Sequence, residues 1–378
     1  MNDYQKVIRG RGSVKKLPLL MEKTGMARPM IVGMEPLTAV LLKKVPKMLS
    51  FPVFSSFHSN PDLDDTEAGA DLFQREKCDG LISIGGGSSI DTAKAIKAKI
   101  NAGSAEDVIH NRLKIQTVCP HIAVPGTAGT GSEATQIAVV YVSGNKVSLN
   151  HPILKPDGVV LDADMLDTLP LYHKKSCALD ALAQGIESYW SRESNDDSKV
   201  HAYLAIIGVL DNLKTYLKGD PHAADEMLDA SFQSGKAIQI TRTTAAHAMS
   251  YMLTKRLGLA HGHACMMTLP VLWEMMQEHE EMRDTLNDLS AKMRLGNMQM
   301  VPKLLNGIMY DLEMCIPAMP DAETMEELVS SVNTERLNNH PVTMNKEEIR
   351  EAYRRAMTPV CDQERQACLD IWRYYGRG

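Results

Sequence analysis

The chain has 378 residues, 44% of them hydrophobic, with 41 Lys and Arg against 47 Asp and Glu for a net charge of −6. That length allows two domains, each with its own core, and an acidic balance without a basic stripe excludes nucleic acid as a partner. No apolar run reaches transmembrane length and the opening MNDYQKVIRGRG lacks a signal-peptide core, so the expectation is a cytoplasmic protein with no membrane partner.

Taken in chain order, a helical pattern runs through Leu17, Leu20 and Met21. Residues 29–33 (PMIVG) are a short apolar run between turn formers, as a buried parallel strand requires. Residues 79–85 (DGLISIG) are a second such strand, followed by Gly86, Gly87, Ser88 and Ser89 and then by apolar positions Ile90, Ala93, Ile96 and Ile100 at helical spacing. Glycines let a backbone approach closely, and the free N–H groups of a helix N-terminus attract a diphosphate. The pattern is neither GxGxxG nor GxxxxGK[ST], so read alone it also fits plain strand-turn-helix packing. Asp91 falls in the first turn of that helix, where a carboxylate suits the dipole.

A third strand at 121–125 (HIAVP) leads into GTAGTGSE, whose small residues and hydroxyls either line a phosphate or form a polar turn. Residues 137–150 read as a hairpin turning at Gly144-Asn145, and 158–162 (GVVLD) as the last strand. Strand-like runs cease beyond Leu169-Pro170. From Lys175 onward the pattern is helical, with segments near 177–190, 197–217, 223–240, 243–257 and 264–280, and packed helices at the C-terminal end. The fold expected is an α/β N-terminal, Rossmann-like dinucleotide-binding domain over 1–170 plus an all-α C-terminal metal-binding domain over 171–378.

In the helical half, Asp180 and Gln184 sit i and i+4 inside CALDALAQGIESYW, so both project from one helix face. His247 lies in TRTTAAHAMSYMLTKRLG, and His261 opens His261-Gly262-His263. One carboxylate, one amide and two imidazoles form a plausible set for a divalent metal, Fe2+ or Zn2+. Each residue alone also fits a capping or core role. Seven scattered cysteines contain no Cys-x-x-Cys pair, so neither a disulfide framework nor a thiolate zinc site is indicated.

DALAQGIESYWS, AAHAMSYMLTKRLG and GLAHGHACMMTLP, with GGGSSIDTAKA and GTAGTGSEAT upstream, resemble the successive motifs of the iron-containing (group III) alcohol dehydrogenases. The motifs stand in the family's order from about residue 80 to residue 270. The resemblance implies a dehydroquinate synthase-like architecture, usually dimeric, with nucleotide and metal meeting in a cleft between the domains. It implies a metal held by Asp180, His247 and His261, with Gln184 where the family has a His. It implies cofactor contacts at Gly86, Gly87, Ser88, Asp91, Thr127, Thr130, Ser132 and Lys146. Where the family ends its first strand with a ribose-binding Asp, this chain reads Gly33-Met34-Glu35, which favours NADH and leaves NADPH open. Tyr251 stands where the family usually has a second His near the nicotinamide.

Gln184 followed by GIESYWS, with ITRTTAAHAMSYMLT and HGHA, resembles the branch that reduces sulfoacetaldehyde and phosphonoacetaldehyde. The expected reaction is therefore metal-dependent reduction of a small anionic aldehyde by NAD(P)H, sulfoacetaldehyde to isethionate, with the phosphonate or an uncharged short-chain aldehyde as alternatives. Tyr251 and His263 are candidates for proton delivery. An anionic head needs donors, for which Arg242 is the first candidate, with Asn150, His151, Arg192 and His263 behind it. Two other classes stay in view, a dehydroquinate synthase-type lyase and a binding protein that has lost its metal along with the histidine at 184.

Overall fold

The computed structural model describes residues 5–59, 61–114, 118–142 and 145–375. The chain folds as two compact units, Met1–Pro170 with Lys218–Gly235, and Leu171–Leu217 with Lys236–Gly378. The stretch 218–235 thus joins the first unit, although its sequence reads as helix in the second half.

The first unit is built on eight strands: β1 (Lys6–Arg9), β2 (Pro29–Gly33), β3 (Val53–Phe54), β4 (Gly80–Gly85), β5 (His121–Pro125), β6 (Ile137–Val142), β7 (Asn145–Asn150) and β8 (Gly158–Leu161). Six of them form one parallel sheet in the order β1-β8-β5-β4-β2-β3, and β6 and β7 form a separate antiparallel pair. The turn expected at Gly144-Asn145 begins outside the described residues. Helices α1 (Leu17–Thr24), α2 (Leu37–Lys44), α3 (Leu63–Arg75), α4 (Gly87–Ile100) and α5 (Ala105–Ile109) connect the strands.

The apolar runs at β2, β4 and β5 are buried along their whole length because helices cover both faces of the sheet. Alternation sends Ile31, Ile82, Ile84, Ile122 and Val124 to one side, against Leu17, Leu20 and Leu41. Met30, Val32 and Leu81 go to the other, against Phe73, Ala93 and Ile96. β1 has no apolar run to announce it: it is a four-residue edge strand whose end residues, Lys6 and Arg9, are exposed.

Among the described residues every element after β8 is helical. These are α6 (Leu171–Trp190), α7 (Asp196–Leu217), α8 (Pro221–Thr241), α9 (Ala245–Leu257), α10 (His261–Met276), α11 (Arg283–Lys292), α12 (Met300–Asp311), α13 (Ala322–Ser330), α14 (Thr334–Asn338), α15 (Lys346–Met357) and α16 (Asp362–Tyr374), beside short 3-10 turns. In the second unit α6 is central. Every residue from Ala178 to Trp190 is buried, so the helix needs partners on all sides. α7 and α10 pack on it, and Trp190 meets Trp273 with ring centroids 5.7 Å apart. The fold is the expected one, a parallel α/β sheet followed by an all-helical half. No described helix is long and apolar enough to cross a membrane.

Candidate metal centre and nucleotide cradle

Asp180, Gln184 and Glu187 follow one face of α6 at i, i+4 and i+7, and all three are buried. Sequence periodicity starts the next helix of the site at residue 243. The structure ends α8 at Thr241 and begins α9 at Ala245, with Arg242 between them in the left-handed region at φ 59°. Breaking the chain there creates a new helix N-terminus, and Glu187 fills it. Its Oε1 accepts hydrogen bonds from the backbone N–H of Thr244 at 3.1 Å and Ala246 at 2.9 Å, and from the Thr244 hydroxyl at 2.6 Å. A carboxylate at the positive end of a helix is doubly satisfied, by hydrogen bonds and by the dipole.

The other oxygen of Glu187 accepts from His247 Nδ1. Holding the proton on Nδ1 leaves Nε2 to face the opposite way, 3.2 Å from Asp180 Oδ1. His261 arrives from the start of α10. Gly262 makes that approach possible: a Cβ there would lie 2.0 Å from the Ser176 carbonyl oxygen and 2.7 Å from Asp180 Cβ. His261 Nε2 then stands 3.9 Å from Asp180 Oδ1. One turn further along α10, Cys265 places Sγ 3.8 Å from His261 Nε2. Ligand atoms of Asp180, His247, His261 and Cys265 all lie within 4.8 Å of one another. Asp180, His247 and Cys265 are buried, whereas the His261 side chain is 39% exposed and opens the cluster to solvent.

The electrostatics favour positive charge at this point. Burial pushes the Asp180 carboxyl up, but His261 and His247 more than offset that and leave it depressed. Glu187 behaves alike, with burial outweighed by His247 and Thr244. Burial opposes charge on His247, yet Cys265 and Glu187 raise it well above an ordinary imidazole. Burial also opposes ionisation of Cys265, and the two histidines still bring its thiol down to about 7. A buried spot where anionic donors persist and protons bind tightly is one where a divalent cation can replace those protons. The donor set fits such an ion. Gln184 stands beside it, hydrogen-bonded to Asp180.

The remaining expected residues separate into those near this cluster and those occupied elsewhere. The Tyr251 ring stacks on His261 at 6.4 Å and 14°, and the Arg336 guanidinium lies 5.5 Å from the Tyr251 centroid. Arg336 also donates to Thr243 Oγ1 at 3.0 Å. Nothing in the sequence around α14 singles it out. His263 is buried and pairs through Nδ1 with Tyr172 Oη at 3.0 Å, away from the converging donors. Arg192 is bound to the carbonyl of His340 and to Pro341 and Thr343. Asn150 accepts from Gln136, and His151 Nδ1 caps its own 3-10 turn. Arg192, Asn150 and His151 thus have structural work.

In the first unit, β4 ends at Gly85 with φ +140° and α4 starts at Gly87 with no side chain capping it. A Cβ on Gly86 would meet Thr127 at 3.0 Å, and one on Gly87 would meet Thr130 at 3.2 Å. The two turns therefore form a close cradle around a bare helix N-terminus, which suits a diphosphate. Ser88 Oγ donates to the Ser59 carbonyl. Asp91 faces inward: its oxygens accept from the Ser132 hydroxyl at 2.6 Å and the Val139 N–H at 3.0 Å. Burial raises its carboxyl, opposed by Lys94, Ser132, Val139 and Lys146. The Ser132 hydroxyl is held between Asp91 and Lys94. Asp91 and Ser132 thus tie α4 to the loop before β6. Glu35 accepts from the Ala39 N–H at 3.2 Å and caps α2 at the end of β2.

Residues 5–163 match the family described as iron-containing alcohol dehydrogenase, and residues 175–364 match that family's C-terminal domain. The chain belongs to the iron-containing alcohol dehydrogenase family. Within it, 225 residues are 35% identical to the phosphonoacetaldehyde reductase of Streptomyces viridochromogenes, spanning 56% of this chain and 57% of that one. The chain therefore matches only a little over half of that reductase's length. It is 30% identical to the NAD-dependent methanol dehydrogenase of Bacillus methanolicus over 69% of this chain and 71% of that one. The solved sulfoacetaldehyde reductase of Bifidobacterium kashiwanohense, in complex with NAD+, has the same fold, with a TM-score of 0.86 over 94% of this chain and 97% of that one at 23% identity.

Proposed function

We propose that this chain reduces a small aldehyde to its alcohol with a nicotinamide coenzyme and a divalent cation, and that the aldehyde carries an anionic head, sulfoacetaldehyde first and phosphonoacetaldehyde second. The observation that carries the reading is the convergence of Asp180, His247 and His261 donors on one point, backed by Glu187. Membership of the family supports the class of reaction. The activities for which the Streptomyces and Bifidobacterium relatives are named support the anionic head.

The balance is aldehyde, dihydronicotinamide and a proton giving alcohol and oxidised nicotinamide. When bound, the cation supplies a Lewis acid for the carbonyl oxygen and the coenzyme supplies the hydride. The protein's own part is orientation and charge. Asp180, His247 and His261 hold the cation. Glu187 keeps the proton of His247 on Nδ1 so that Nε2 stays a donor to the site. Tyr251, stacked beside His261, is the group we assign to the proton that the product oxygen needs. Gly86, Gly87, Thr127 and Thr130 form the diphosphate cradle, and the charge of Lys146 acts on Asp91 in the same unit. Glu35 at the end of β2 disfavours a 2′-phosphate, so NADH is the preferred coenzyme.

Arg336 and Arg242 are the cations we assign to the head group. Arg336 lies over the ring that stacks on His261, and Arg242 sits at the break before α9. A second reading has an uncharged substrate. It draws on methanol dehydrogenase and on the lactaldehyde reductase of Escherichia coli, 30% identical over 69% of this chain. Steady-state rates with sulfoacetaldehyde, phosphonoacetaldehyde, glycolaldehyde and butanal, each with NADH and NADPH, separate the two. The proposal expects kcat/KM to be highest for an anionic aldehyde with NADH. A preference for glycolaldehyde or butanal supports the second reading, and no turnover of any aldehyde removes both.

A further inference from the structure

The family pattern places a histidine four residues after Asp180, and this chain has Gln184 there instead. A carboxylate can only accept, so the hydrogen bond between Gln184 and Asp180 uses the amide N–H of Gln184 as donor. Gln184 is then oriented to hold Asp180 in place. The donor atoms that gather within 4.8 Å of one another come from Asp180, His247, His261 and a fourth residue, Cys265.

We infer that Cys265 is a thiolate ligand on α10, so that this chain replaces the missing imidazole with sulfur from a different helix. The placement follows from helical geometry: His261 and Cys265 are i and i+4 on α10 and share a face, as Asp180 and Gln184 do on α6. Cys265 Sγ is 3.8 Å from His261 Nε2, which is 3.9 Å from Asp180 Oδ1, itself 3.2 Å from His247 Nε2. Around an ion with bonds of about 2.0–2.3 Å, neighbouring donors stand roughly 3.0–3.6 Å apart, and four protein donors leave a five-coordinate ion one position for substrate. Those three separations lie in or just above that range, and the remaining donor pairs lie within 4.8 Å.

The ordinary role for a fully buried cysteine is that of a small core hydrophobe. Here the sulfur instead gathers with two imidazoles and a carboxylate. The thiolate and the Gln184 amide are also alternatives: both together with Asp180, His247 and His261 would leave even a five-coordinate ion no position for substrate. A carboxylate, two imidazoles and one thiolate form a softer set than three imidazoles and a carboxylate, so the site favours Zn2+ over Fe2+.

The inference rests on the cation site of the proposed function, and Co2+ distinguishes failure of one from failure of the other. Chelator-stripped full-length protein is titrated with Co2+, which occupies zinc sites and reports its ligands by absorption. Visible d–d bands report uptake, and a near-ultraviolet charge-transfer band reports sulfur bound to cobalt. Both are expected in the unmodified protein. The charge-transfer band should vanish in Cys265→Ser and Cys265→Ala while the d–d bands remain, and it should survive in Cys177→Ser. Cobalt uptake without a charge-transfer band in the unmodified protein overturns the thiolate alone. No uptake of cobalt overturns the cation site and the thiolate with it.

Discussion

Among the described residues, two groups of side chains bring metal-donor atoms together, and they differ in what those atoms already do. His58, Asp62 and Asp65 gather at the start of α3. There Asp62 accepts from the Asp65 N–H at 2.8 Å while Asp65 accepts from the N–H groups of Asp62 and His58 and from the His58 ring. This is a reciprocal helix cap, its carboxylates occupied by backbone donors, with a His58 side chain 77% exposed. At Asp180 the neighbours are two imidazoles and an amide side chain, and the backbone donors have been taken over by Glu187 instead. Proximity of donors is common to both. What marks the second as the candidate metal centre is that a separate carboxylate answers the local helix N-terminus, leaving Asp180 to face the histidines.

Removing one donor from each group separates the two. His247→Ala should abolish stoichiometric metal and lower turnover by at least about 10³-fold, since a Lewis acid contributes several kcal/mol. His58→Ala should leave both unchanged. Metal analysis alongside NADH oxidation reads the difference. Next in size is Gly262→Ala. Its Cβ meets a backbone carbonyl 2.0 Å away, so α10 must move off α6. We expect a loss of stability of about 1–3 kcal/mol, seen as a lower Tm, together with weaker metal binding.

Glu187→Gln keeps the size and removes the charge. Loss of the group that fixes His247 should weaken metal affinity by roughly 10–100-fold. Unchanged affinity, measured by competition with a chelator, would show that Nδ1 of His247 needs no carboxylate. Asp62→Ala should cost about 1 kcal/mol through the lost cap and leave metal affinity untouched. The smallest effect concerns pH. Asp65 raises His58 above its usual 6.5, so whatever this pair adds is complete below about pH 6.5 and is lost as pH rises through the raised value. Salt screens it, and His58→Gln should erase that pH dependence in urea melts.

Much of the first unit is legible in the sequence because buried parallel strands write themselves as apolar runs. The strands at 29–33 and 121–125 lie where the sequence places them, and the last, expected over 158–162, ends at Leu161. β1 and β3 are not legible, being a short edge strand and a two-residue one. In the helical half, Asp180, His247 and His261 can be named from their motifs. Glu187 cannot, because its role depends on a helix break at residues 242–244 whose consequence periodicity does not reveal. Cys265 escapes for a related reason. A search for paired cysteines does not see one sulfur that meets histidines from two helices. The i, i+4 step from His261 is the signal on offer. Asp91 and Ser132 show the opposite failure, since their positions in a motif say nothing of the hydrogen bond between them.

We propose that aldehyde reduction depends on a cation held by Asp180, His247 and His261. The decisive measurement is a titration of chelator-stripped protein with Zn2+ or Fe2+ while NADH oxidation by an anionic aldehyde is followed. Activity should be absent at first, return in proportion to added cation, saturate at a stoichiometric amount, and never return in His247→Ala. Full turnover by the stripped protein, or recovery in His247→Ala equal to that of the unmodified chain, would contradict the proposal.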